Sequence, residues 1–298
     1  MSPTATQAPT SSVPARTSRG GRRAPGRRKR TWWKTIVVVA IGLLVNLPLL
    51  NALVTSFKSD ADISRSPLAL TPHLTLAHYR NVFTGTGYDF SQYFLNSVMI
   101  ALGGVLIVLV ITVPSAYAIV RLGFGGPHLL RLVAGLRLIP AIFFAIPFFL
   151  LYNALGLYDS VGSLMLANAF LNLPLGILVL AGALRDLPVA IEEAAAIDGA
   201  NVYRTLMSII LPLLAPALVA VSVLVFLFSW SDYLFAVILS SSNATPVTVG
   251  AANFVTSTGI RWGDISAATV LSVLPPLCFA IFAQRYLVSG LSVGAVKG

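Results

Sequence analysis

Six apolar runs, each long enough to cross a bilayer, leave this chain few folds to choose from. They cover about 35–57, 93–120, 132–155, 161–184, 211–239 and 267–288. Inside hydrocarbon every backbone N–H and C=O needs a partner within the protein, and an α-helix supplies all of them from one segment. About 20 apolar residues are enough for the ~30 Å core. The runs therefore predict an all-α, polytopic bundle of six transmembrane helices. At ~1.5 Å per residue the fifth run is longer than the core requires, so it must tilt, break or begin in the interface. Composition agrees: 56% of the residues are hydrophobic and 10% charged, against about 25% charged in soluble domains.

A net charge of +10 raises nucleic acid as a partner, but the distribution of charge argues against it. Arg16, Arg19, Arg22, Arg23, Arg27, Arg28, Lys29, Arg30 and Lys34 crowd before or at the start of the first run, and no aromatic residue interleaves them before Trp32. A single-strand binder stacks bases on such aromatics. A basic segment abutting a span is instead an orientation signal and a contact for anionic lipid in the bilayer. With the N-terminus inside, Arg121, Arg131, Arg185, Arg204, Arg285 and Lys297 are also inside, and only Lys58, Arg65, Arg80 and Arg261 fall outside. Both termini are therefore expected in the cytoplasm of a cell-membrane protein. Residues 1–31, rich in Ser, Thr, Pro, Gly and Arg, read as a disordered cytoplasmic tail. The run after them is too long for a signal peptide and lacks a small-residue cleavage site, so it is an uncleaved span. Cys278 has no second cysteine to pair with.

The same orientation puts the polar stretch 185–210 on the cytoplasmic side. Pro188 suits a first helical turn, Gly199 can end that helix in a left-handed conformation, and Asn201 is a cap for a second short helix. Ile191, Ala194, Ala195 and Asp198 share one face at helical spacing. Such a small, partly apolar knob fits either a cleft on another protein or the membrane surface.

Glu193-Ala194-Ala195, Asp198-Gly199-Ala200, Ile209, Leu211-Pro212 and Pro216 resemble the EAA motif of the membrane subunits of ATP-binding-cassette (ABC) importers. Leu206 departs from it, since the family usually has Phe there. The likeness continues in Phe94-Leu95-Asn96-Ser97, Ala116-Tyr117-Ala118 with Arg121 and Phe124, Ile146-Pro147, Gly156-Leu157, Asn172-Leu173-Pro174, Trp230-Ser231-Asp232 and the final Gly294-Ala295-Val296-Lys297-Gly298. These runs are similar to the carbohydrate-uptake branch, most of all its six-span permeases of the maltose-transporter type. The resemblance implies one transmembrane domain over 32–298 and a coupling helix in which Glu192, Glu193, Ala194, Ala195, Asp198, Gly199 and Ala200 meet an ATPase subunit. It further implies a second homologous permease, two ATPase subunits that hold ATP and Mg, and an extracytoplasmic solute-binding protein. This chain itself would bind no cofactor. A sugar or oligosaccharide is the implied solute, with a polyol or glycerol phosphate as the alternative.

Five residues in the runs have chemistry suited to a translocation path. Arg137, in the third run, either snorkels to the cytoplasmic surface or faces a polar cavity. Asn168 and Asn172, four apart on one face, either bond a solute hydroxyl or join helices. Trp230 and Asp232 offer an aromatic platform and an acceptor, or an interfacial belt. No Gly-rich phosphate loop is present, so the chain carries no ATPase of its own. His73, His78 and His128 are scattered and expected at the surface, and no metal site is expected. An ion-coupled secondary transporter would want buried carboxylates, of which the runs contain only Asp232. An intramembrane enzyme would want paired catalytic groups, and none are visible.

Overall fold

The computed structural model describes residues 32–66, 73–85, 88–256 and 259–294. The expected tail, 1–31, lies outside them, as do residues 295–298 of the final motif. Among the described residues the chain is helical almost throughout, and its only strands are a two-residue antiparallel pair, β1 (Val255–Thr256) and β2 (Gly259–Ile260). It forms two units, 1–46 and 47–298. The first contains α1 (Trp32–Val45), an apolar helix without a buried residue.

The second unit opens with α2 (Leu47–Thr55), α3 (Asp60–Arg65) and α4 (Ala77–Thr84), followed by α5 (Phe90–Val120). Asp89 Oδ1 accepts the Gln92 N–H at 3.0 Å and so caps α5. The third expected span, 132–155, is not one helix. It divides into α6 (Gly126–Leu136) and α7 (Ile142–Ala154), because Pro140 lacks the N–H that would continue the ladder. Next comes α8 (Val161–Asp186), followed by the loop helices α9 (Ala190–Ile197) and α10 (Val202–Arg204). The fifth expected span, 211–239, is also broken. A π-helical turn (Thr205–Ile210) leads into α11 (Leu211–Leu213), and α12 (Ala215–Trp230) departs from Val202–Leu213 at 75°. Pro212 and Pro216 flank that corner, and each releases the carbonyl four residues before it. After α12 the chain breaks again before α13 (Leu234–Leu239), passes α14 (Val247–Gly250), and ends in α15 (Trp262–Gly294). Pro114, Pro147, Pro174, Pro275 and Pro276 lie inside uninterrupted helices. Among the described residues three helices, α5, α8 and α15, are each long and apolar enough to cross a membrane, and five spans result if each broken pair is one.

The bundle is organised on α5, which packs along α8, with α12 against both. Where hydrocarbon surrounds the helices, burial of apolar surface gives no drive to associate, so close packing of small residues does the work. Gly176 of α8 is a point of close approach in this seam. A Cβ there would lie 2.7 Å from Thr112 Cγ2 and 3.0 Å from Val108 Cγ1.

At the end of α5 remote from α9, one histidine contradicts the sequence expectation. His78 is buried rather than on the surface. Its Nδ1 lies 2.8 Å from Asp264 Oδ1 and its Nε2 2.8 Å from the Lys58 carbonyl. Arg261 completes the cluster, 2.7 Å from Asp264 Oδ2. The group ties α4 and the segment after α2 to the start of α15.

Gly176→Val should lower the apparent melting temperature of the detergent-solubilised protein, since overpacking a close helix contact costs roughly 1–3 kcal/mol. Gly135→Ala, where an added Cβ meets nothing within 4 Å, is the control and should leave the transition unmoved.

Candidate translocation cavity and coupling loop

Capping shapes the loop after α8. Gly199 follows α9 with φ +81°. The Ala200 N–H donates to the Ala195 carbonyl at 2.9 Å, and the Gly199 N–H to that of Ala196 at 3.0 Å. This reciprocal pair is the Schellman ending that glycine permits. Asn201 Oδ1 accepts the Arg204 N–H at 2.8 Å and starts α10, as its sequence position predicts. The face expected from Ile191, Ala194, Ala195 and Asp198 is not a single surface. Ala195 is buried and Ile191 half-buried against the protein, while Ala194 and Asp198 are exposed.

Glu192 also turns inward. Its carboxylate accepts from the Tyr117 hydroxyl at 2.9 Å and from Arg121 Nε, while Arg121 Nη2 donates to the Leu187 carbonyl at 2.8 Å. The first turn of α9 is thereby fastened to the last turn of α5. Glu193 stays exposed, as do Ile197 at 87% and Tyr203 at 71%. Leu206, the position that departs from the EAA pattern, is buried. Sequence reasoning grouped Glu192 with the outward residues. The only sign of its partners was their place in the matched run Ala116-Tyr117-Ala118 and Arg121.

A cavity of about 560 Å³ opens between the α6–α7 break, α8 and the end of α12. Four of the five candidate path residues line it: Arg137, Asn168, Asn172 and Asp232. Arg137 sits in the break after α6, not within a spanning helix, and its guanidinium lies 5.6 Å from the centre of the Phe228 ring. Asn168 Nδ2 donates to the Leu164 carbonyl at 3.0 Å and to Asp232 Oδ2 at 3.4 Å, and Asn172 Nδ2 donates to the Asn168 carbonyl at 2.9 Å. Asn168 thus joins α8 to the break between α12 and α13.

Trp230 is the exception. It is buried, stacks on Phe226 with centroids 5.6 Å apart, and meets Phe94 edge-on at 5.9 Å. It lines a second cavity of about 420 Å³ with Tyr93 and Phe254. α12 ends at Trp230 and Asp232 lies in the break beyond it, so the two residues line different cavities.

The segment after α13 is held by groups from α5 and from the connection between α7 and α8. Asp159, with φ +54° between α7 and α8, accepts the N–H groups of Ser241, Ser242, Asn243 and Ala244 at 2.8–3.3 Å. Asn96 Nδ2 donates to the carbonyls of Asn243 and Thr245 at 2.9 and 3.0 Å, and Ser97 Oγ accepts the Val247 N–H at 2.9 Å. Burial alone would raise the Asp159 carboxyl, but the four N–H donors outweigh it and hold the group at about 2. The stabilisation from this lowered value is complete above the ordinary carboxylate range and is lost only as pH falls towards 2. No change is expected between pH 5 and 8.

Residues 121–293 match the family described as the binding-protein-dependent transport system inner membrane component. The chain belongs to this family. The permease is 34% identical over 277 residues to the trehalose transport system permease protein SugB of Mycobacterium tuberculosis, covering 92% of this chain and 100% of that one. It is 35% identical over 266 residues to the trehalose/maltose transport system permease protein MalG of Thermococcus litoralis, covering 88% and 95%. Among solved structures, a chain of a bacterial ABC transporter that imports the acidic polysaccharide alginate matches with a TM-score of 0.70 at 23% identity, over 86% of this chain and 95% of that one. The permease is thus a multi-pass inner-membrane subunit of an ABC importer.

Glu192→Ala in the permease should strand the Arg121 guanidinium, which is mostly buried, and release the Tyr117 hydroxyl. The expected cost is about 1–3 kcal/mol, read as faster proteolysis of the 187–204 loop. Asp159→Ala should leave four backbone donors without their acceptor. It should open segment 240–247 to hydrogen exchange, and its effect should be the same at pH 5 and pH 8.

Proposed function

We propose that this permease passes a sugar or oligosaccharide through the cavity between the α6–α7 break, α8 and α12, driven by ATP hydrolysis on separate subunits. The tie from Glu192 to Tyr117 and Arg121 carries this reading. It makes α9 a firm extension of α5, so a push on the exposed side of α9 reaches the helix on which the bundle is built. In this reading six spans leave both termini in the cytoplasm and α9 faces an ATPase subunit. Glu193, Ala194, Asp198 and Gly199 form or aim the contact, with Glu192, Ala195 and Ala200 holding it from behind. Two ATPase subunits bind ATP and Mg, and this chain needs no cofactor. A second homologous permease completes the path, and a solute-binding protein docks at the opposite end, near segment 240–256.

Carboxamides, a carboxylate and a guanidinium in an otherwise apolar wall suit a solute rich in hydroxyls, which both donate and accept. The relatives named for trehalose, maltose and sulfoquinovosyl glycerol point the same way. Closure of the ATPase dimer would favour one of two bundle arrangements over the other, which is all a driving ligand can do. The 75° corner before α12 is a natural joint.

The test is ATP hydrolysis by the reconstituted complex, stimulated by the solute-loaded binding protein, with complex abundance measured alongside. Gly199→Val places a β-branched residue at positive φ, a strain of roughly 1–2 kcal/mol confined to an exposed turn. Glu193→Lys reverses an exposed charge. Both variants should insert normally and lose most of the stimulated hydrolysis and transport. Parent-like coupling at equal abundance in both would remove α9 from this role.

A further inference from the structure

Away from the translocation cavity, α6 and α8 enclose a second groove of about 340 Å³, lined by Pro127, Leu130, Arg131, Ala134, Leu178, Ala181, Gly182 and Arg185. The residues fall at i, i+3, i+4 and i+7 on both helices, so two facing helical stripes make its walls. Each stripe contributes one arginine. Arg185 sits in the last turn of α8, and α6 begins five residues after Arg121, the partner of the 187–192 loop. The charged end therefore lies at the same end of the bundle as α9. Beyond it the walls are small and apolar. A Cβ added at Gly182 would meet nothing within 4 Å, so the wall is open at that point.

Both guanidiniums are short of anions. Arg131 Nη2 donates to His128 Nδ1 at 3.0 Å and its Nε to the Pro127 carbonyl at 3.4 Å, both neutral acceptors. Arg185 makes no hydrogen bond or ion pair among the described residues, and no carboxylate there pairs with either arginine. Two unneutralised arginines at the interfacial end of a narrow apolar groove, in a protein surrounded by lipid, match one ligand in both halves. We propose that this groove is a binding site for an anionic phospholipid, its phosphate held by Arg131 and Arg185 and an acyl chain lying along Ala134, Leu178, Ala181 and Gly182. Guanidinium presents paired N–H donors to phosphate, and basic pockets between spanning helices favour anionic headgroups. Net charge makes the choice. A zwitterionic headgroup carries its own cation to the same place and gains less. The inference requires only that the chain spans a membrane, and it is independent of the solute and of α9.

The experiment is native mass spectrometry of the complete complex released from nanodiscs of phosphatidylglycerol and phosphatidylcholine in equal parts. Two variants are compared with the parent: Arg131→Gln with Arg185→Gln, which removes the charge, and Gly182→Leu, which fills the groove while leaving both arginines. The parent should retain phosphatidylglycerol about tenfold over phosphatidylcholine. Each variant should lose that preference at unchanged subunit stoichiometry, and 10 mM inorganic phosphate should not displace the lipid. Equal phosphatidylglycerol retention by the parent and Gly182→Leu would overturn the proposal. So would displacement by phosphate alone, or crosslinking of Gly182→Cys to another subunit, which would make the groove a protein interface. Transport of solute by lipid-depleted variants leaves the functional reading intact, so the two ideas fail separately.

Discussion

In hydrocarbon an unpaired backbone amide has no water to turn to, and that constraint governs where this chain can be irregular. Three helices run unbroken, while the interruptions after α6, before α12 and before α13 each find a local answer. Arg137 and Pro140 mark the first of those places, and Pro212 and Pro216 the second. The first break opens directly onto the main cavity, where freed carbonyls can meet solvent or solute. Irregular backbone at membrane depth is tolerated where it lines such a space, so the breaks and the cavity are two views of one arrangement.

Polar side chains do the joining that apolar burial cannot do in a bilayer. Asn168 reaches from α8 to Asp232, and Asn96 and Ser97 reach from α5 to segment 243–247. His78 bridges Asp264 and the Lys58 carbonyl. Each is a small, specific tie between elements far apart in sequence. Together with the close approach of Gly176 to Thr112 and Val108, they define which helices are neighbours. The Glu192 tie belongs to the same class and couples an exposed loop helix to the central helix α5. A loop held only by its two ends would move independently of the bundle, whereas this one is tied to α5 by a side chain.

Much of this protein was written in its sequence. The spans at 93–120 and 161–184, the turn at Gly199 and the cap at Asn201 all follow from local chemistry: apolar length, a residue free to take positive φ, and a side-chain acceptor beside unpaired N–H groups. Four of the five candidate residues line one cavity, and helical spacing had already placed Asn168 and Asn172 on the same side of α8. The division of 132–155 was legible only as Pro140, a residue that other helices here accommodate without breaking.

Tertiary structure decided which of the marked residues face inward. Glu192 and Glu193 are adjacent and chemically alike, yet one is committed to Tyr117 and Arg121 and the other is exposed. Trp230 and Asp232 stand in one motif but serve different cavities. His78 had every appearance of a surface residue until Asp264, 186 positions away, closed on it. Sequence spacing fixes direction around a single helix. Which neighbour stands in that direction depends on how separate helices pack, and no local pattern in the chain carries that information.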